Sequence, residues 1–79
     1  MSNKNKYQDI FIKSLDMDSK KFDENIKYND IPEWDSIGHM TLISGLEEGF
    51  KISIETDDVI DFSSFKKGYE ILVKYKIGF

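Results

Sequence analysis

Apolar positions in the first fifteen residues recur at helical spacing. Tyr7, Ile10, Phe11, Ser14 and Leu15 share one stripe, which predicts a helix over roughly residues 3–15. A connection from about Asp16 to Asp35 follows, anchored by Phe22, Ile26, Tyr28, Ile31 and Trp34 and broken by Pro32. Loops of that length are uncommon in compact domains and tend to be functional. A second helix is predicted from Asp35–Ser36 to about Lys51, with Asp35 as N-cap because its carboxylate can accept an orphan backbone N–H. At 100° per residue, His39, Leu42, Ile43, Leu46 and Phe50 fall within an arc of about 100°, the expected core face. Ile37, Met40, Ser44, Glu47, Glu48 and Lys51 lie on another side, and Gly38, Gly45 and Gly49 form a third flank.

After Ile52-Ser53-Ile54, Thr56 is expected to cap a short third helix ending near Asp61, with Asp57 and Asp58 in its first turn. Ser63 or Ser64 then caps a fourth helix running to about Lys76, its inner side formed by Phe65, Tyr69, Leu72 and the stem of Lys76, with Val73 and Tyr75 at the edges. Lys74 and Lys76 suit the negative end of that helix. The strand alternative is confined to Lys51–Glu55, too little for a sheet. The expected fold is all-α: a small bundle of three main helices and one short one, with a long loop between helices 1 and 2.

Composition narrows the chemistry. At 79 residues, 39% apolar and 33% charged, the sequence fits one soluble globular domain spanning 1–79. No apolar run approaches the roughly 18–20 residues of a membrane span, and MSNKNKYQD lacks a signal-peptide core, so the expected location is cytoplasmic and no membrane partner is expected. With no Cys and one His, thiolate nucleophiles, disulfides and His-cluster metal sites are excluded. All 11 basic residues are Lys and the net charge is −4, which argues against a nucleic-acid partner.

That charge is unevenly spread. Residues 1–29 balance at +1 and residues 62–79 at +3, whereas residues 30–61 hold nine acids against Lys51 alone, a balance of −8. A solvated acidic face accounts for such a run. A docking surface for basic partners accounts for it too, since complementary charge speeds encounter. Taken alone, the run favours the first reading.

The segment Trp34-Asp35-Ser36-Ile37-Gly38-His39-Met40 places a hydroxyl at the first position of a helix, after a long loop and inside the acidic third. A group esterified to Ser36 would meet the free N–H groups and positive dipole end that favour phosphate; the charge of Asp35 makes a monoanionic diester a better fit than a dianion. On the tripeptide alone, an ordinary first-turn Ser beside a capping Asp is the simpler account. A Ser36–His39 hydrolytic dyad is not supported, because His39 points toward the core arc and the Gly-x-Ser-x-Gly elbow is missing. Asp16-Met17-Asp18-Ser19-Lys20-Lys21 begins like a calcium loop, but Lys20 takes a ligand place, Lys21 the place of the required Gly, and Lys27 that of the bidentate Glu. The glycine flank has three accounts: close approach of a neighbouring helix, opening of the bundle around a bound chain, or no role.

Residues 35–50, DSIGHMTLISGLEEGF, resemble the modification segment of acyl carrier proteins, where Asp-Ser-Leu heads an amphipathic helix ending in Leu-Glu-x-x-Phe. The resemblance extends over about residues 7–75, through the helix order, the Ile-x-Ile bridge and the acidic short helix. It implies a four-helix carrier without catalytic residues or metal, acting as a monomer. It further implies 4′-phosphopantetheine attached at Ser36 beside the motif residue Asp35, installed from coenzyme A by a phosphopantetheinyl transferase. Partners would be that transferase, an acyl or aminoacyl loading enzyme, and a synthase or transferase that consumes the thioester. Ile37, Met40, Glu47 and Glu48 would meet these enzymes, with Asp57, Asp58 and Asp61 extending the rim. Ile37 replaces the usual Leu, and Pro32, Trp34 and Gly38-His39-Met40 bring the sequence nearer to discrete carriers of specialised pathways than to the housekeeping lipid carrier. The alternative is a carrier-like bundle that is never modified and serves as an interaction or regulatory subunit.

Overall fold

Ser2 starts the first helix: its side chain accepts the Asn5 N–H at 3.2 Å, satisfying one of the orphan donors of α1 (Asn3–Ser14). The computed structural model describes residues 2–79. Helix α2 (Ser36–Phe50) is capped by Asp35, whose carboxylate accepts the Gly38 N–H at 2.8 Å, and it stops at Lys51, which adopts the left-handed conformation with φ of 56°. A short α3 (Thr56–Asp61) and α4 (Phe65–Lys74) complete an all-α fold. Among the described residues the backbone pairs in β fashion only at an isolated bridge between Lys27 and Ser64. No helix among them is long and apolar enough to cross a membrane.

Helix α1 lies against α2 on its glycine flank. A Cβ at Gly45 would overlap the Ser14 hydroxyl, and one at Gly49 would overlap Ile10. Gly38 meets the Glu33 carbonyl of the preceding loop. Of the three accounts of the flank, close approach is the one this packing supports.

The core is rich in aromatic rings. Tyr7, Phe11, Trp34, Phe62 and Phe65 are fully or almost fully buried beside Leu42, Leu46, Ile71 and Leu72. Tyr7 stacks on Phe65 at 4.4 Å between ring centroids, and Phe11 meets both Trp34 and Phe65 edge-on at 5.0 Å. Such pairs each add about 0.5–1.5 kcal/mol beyond the area they bury. The Tyr7 hydroxyl donates to the Phe65 carbonyl at 2.7 Å, which gives a buried polar atom its partner.

The long loop is part of this core. Ile26 and Trp34 are buried and Phe22 packs edge-on to Phe11 and Phe65. Its backbone is stitched to the α3–α4 junction, because Tyr28 N–H donates to the Ser63 carbonyl at 2.9 Å and Phe65 N–H to the Ile26 carbonyl at 3.0 Å. Several of its acids close turns locally. Asp18 accepts from Lys20 N–H and caps a 3-10 turn at Ser19–Lys21, and Asp30 accepts from Lys27 N–H.

Two sequence expectations need correction, and a choice between two residues is resolved. Thr56 is the first residue of α3, not its cap; Glu55 occupies the cap position and makes no side-chain cap bond. Of the two candidate caps for α4, Ser64 is the one used, accepting the Lys67 N–H at 3.0 Å. Helix α4 ends at Lys74, and Lys76 is left-handed (φ 67°) and exposed, so Ile71 and Gly68 complete the inner side in its place. The cause is the helix end: once the helix stops two residues earlier, its buried stripe follows Phe65, Gly68, Ile71 and Leu72.

Candidate functional site

Ser36 is exposed at the head of α2. Asp35, immediately before it, is exposed and spends a carboxylate oxygen on the Gly38 N–H, while its carbonyl accepts the His39 N–H at 2.8 Å. The N–H groups of Ser36 and Ile37, as first-turn donors, have no intrahelical acceptor and mark the positive end of the dipole. Ser36 Oγ lies 3.2 Å from the Tyr28 hydroxyl.

Beside Ser36 a cleft of about 310 Å³ opens between α2 and the α3 region, lined by Tyr28, Ser36, His39, Met40, Val59, Ile60, Phe62 and Ser63. Its walls are mainly apolar. Met40 is 55% exposed and Ile60 76%, and Ile37, next to Ser36 in the chain, is 79% exposed. Three large apolar side chains exposed around one hydroxyl form the kind of patch that marks a contact surface.

His39 and Val59, both in the cleft lining, belong to a hydrogen-bonded chain. Trp34 Nε1–H donates to His39 Nδ1 at 3.0 Å, and His39 Nε2–H donates to the Val59 carbonyl at 2.8 Å. Because the indole can only donate, His39 Nδ1 must accept, so the ring is the neutral Nε2–H tautomer. Both nitrogens are engaged away from Ser36, and a Ser36–His39 dyad is not formed. The half-buried ring instead ties the pre-helix loop, α2 and α3 together.

The acids predicted to face partners divide into two groups. Glu48 and Asp57 are exposed, as is Asp61, which pairs with Lys67 at 3.4 Å. Glu47 is half-buried and accepts the Ile54 N–H at 2.8 Å, holding the bridge between α2 and α3. Asp58 accepts from the Lys74 ammonium at 2.7 Å and from the Tyr75 hydroxyl, which in turn accepts the Glu55 N–H at 2.9 Å. The Lys74 hydrogen bond first, and the Tyr75 one second, hold the Asp58 carboxyl below the usual carboxylate range.

Sequence reading missed Tyr28 and Ile60 as site residues. Tyr28 looked like another loop anchor, and nothing in its local pattern signals a partner eight residues away. Ile60 lies in a helix of six residues, too short for periodicity to separate an outward apolar side chain from an inward one. No family model matches the chain, and comparison with curated proteins and with solved structures returns no match.

Proposed function

We propose that the chain is an acyl carrier protein whose Ser36 hydroxyl bears a 4′-phosphopantetheine arm. The observation that carries this reading is the placement of an exposed Ser at the head of the 15-residue α2, behind a capping Asp and at the mouth of an apolar cleft. The surroundings fit such a group. The hydroxyl is not walled in, first-turn N–H groups favour a phosphodiester, and the cleft offers surface to an apolar tether. When attached, the arm supplies the thiol that a chain without Cys lacks, and with it thioester chemistry for an acyl or aminoacyl cargo.

The chain's own residues would present that cargo and leave the chemistry to others. Ser36 provides the attachment atom, and Asp35 fixes the start of the helix that displays it. Ile37, Met40 and Ile60 provide apolar contacts around it, with Glu48 and Asp57 offering charge to basic enzyme surfaces. A flexible tether keeps the thioester at high effective concentration for whichever enzyme is docked. The partners are a phosphopantetheinyl transferase, a loading enzyme and a thioester-consuming synthase or transferase.

Intact mass before and after incubation with coenzyme A and a broad-specificity transferase tests the reading. One phosphopantetheine should be gained by the wild type and none by Ser36→Ala. No gain on the wild type, or a gain that survives Ser36→Ala, overturns it.

A further inference from the structure

Among the described residues Tyr28 is the one side chain outside α2 with a hydrogen bond to Ser36 Oγ, at 3.2 Å, and it is held there firmly. Its N–H is bonded to the Ser63 carbonyl, and the neighbouring Lys27 bridges Ser64. Its ring meets Trp34 edge-on at 6.0 Å and His39 at 5.6 Å between centroids. The hydroxyl is therefore fixed at the mouth of the cleft, facing the atom that the carrier reading modifies.

Esterification changes what this pair of oxygens can do. In the bare chain either hydroxyl can donate to the other. Once Ser36 Oγ becomes an ester oxygen it carries no hydrogen, and Tyr28 is the only donor left in the pair. The non-bridging oxygens of a phosphodiester, two bonds beyond Oγ, carry charge and are stronger acceptors than the ester oxygen. A neutral O–H suits this place, since residues 30–61 hold nine acids and only Lys51 as a cation.

Resting on that carrier reading, we propose that Tyr28 is a positioning residue: its hydroxyl donates to the phosphodiester on Ser36 and turns the arm over the cleft beside Met40 and Ile60. Asp35 does not take this part, because a carboxylate repels a phosphodiester and is already engaged by Gly38 N–H.

The test uses the fully modified protein. Tyr28→Phe keeps the ring that packs on Trp34 and His39 and removes only the hydroxyl. Compared with wild type, its phosphodiester 31P resonance should shift and narrow. Contacts between the methyl protons of the arm and those of Met40 and Ile60, read as nuclear Overhauser effects, should weaken severalfold. Ser44→Ala, an exposed change on α2 outside the cleft lining, should leave both unchanged. A measurement on the unmutated chain covers the case where Tyr28→Phe fails to fold: the Cζ resonance of Tyr28 should move on modification while that of Tyr75 stays put. Full modification with identical phosphorus and methyl signals in wild type and Tyr28→Phe, or an unmoved Tyr28 Cζ, overturns the role of Tyr28 and leaves the carrier reading intact. Failure of the wild type to gain mass removes the carrier reading itself.

Discussion

Tyr7 shows how one side chain can hold two helices and a loop to a common geometry. Its ring stacks on Phe65, meets Phe62 and Tyr69 edge-on, and its hydroxyl donates to the Phe65 carbonyl. Burial pushes that hydroxyl well above the ordinary phenol range, so it stays protonated and able to donate at neutral pH. Tyr7→Phe keeps the ring and deletes the bond, and should cost about 0.5–1.5 kcal/mol, seen as a lower denaturant midpoint at unchanged slope. His39 is a second such residue. Its helical position already placed it over the core, but only the fold reveals that Trp34 and Val59 take its two nitrogens.

At the scale of elements, the sequence pattern located all four helices, because each main one carries an apolar stripe and a capping side chain. It erred where the signal was short or ambiguous. Thr56 and Glu55 compete for one cap position, and Lys76 extends the α4 stripe on paper although the helix has already ended. Nor could it show that α3 is clamped to α4, since Asp58 and the Lys74–Tyr75 pair are 16 and 17 residues apart. The clamp has a defined pH response. A carboxyl whose pKa is lowered on folding stabilises above its unfolded value, about 3.9, and loses that contribution as pH falls through the folded one. The same contacts with Asp58 raise the Lys74 ammonium and the Tyr75 phenol, whose contributions are present at neutral pH and lost only in strong alkali. Amide resonances of α3 should therefore titrate below about pH 4. Asp58→Asn should remove the Asp58 contribution to that titration; an α3 whose acid response is unchanged in Asp58→Asn would show that the clamp lies elsewhere.

For the molecule as a whole, the charge is polar, with the acidic third around α2 and α3 and the surplus Lys on and after α4. Much of the acidic run has work inside the fold. Asp35, Glu47 and Asp58 hold backbone or side-chain partners, so fewer acids are without a role in the fold than the bare count suggests. Glu48 is one of those, so Glu48→Lys should leave the thermal midpoint nearly unchanged while slowing transfer from a partner enzyme, an effect that salt should reduce. A large drop in the midpoint would assign Glu48 to the fold. The candidate attachment residue was legible because its motif is contiguous; the cleft and Tyr28 were not, because they are assembled from three segments. The same assembly gives the protein a built-in optical probe. Its single Trp is sealed from water, edge-on to Phe11, hydrogen-bonded to an imidazole and two residues before Ser36. Indole emission thus follows events at the serine and the integrity of the interior at once, without any added label.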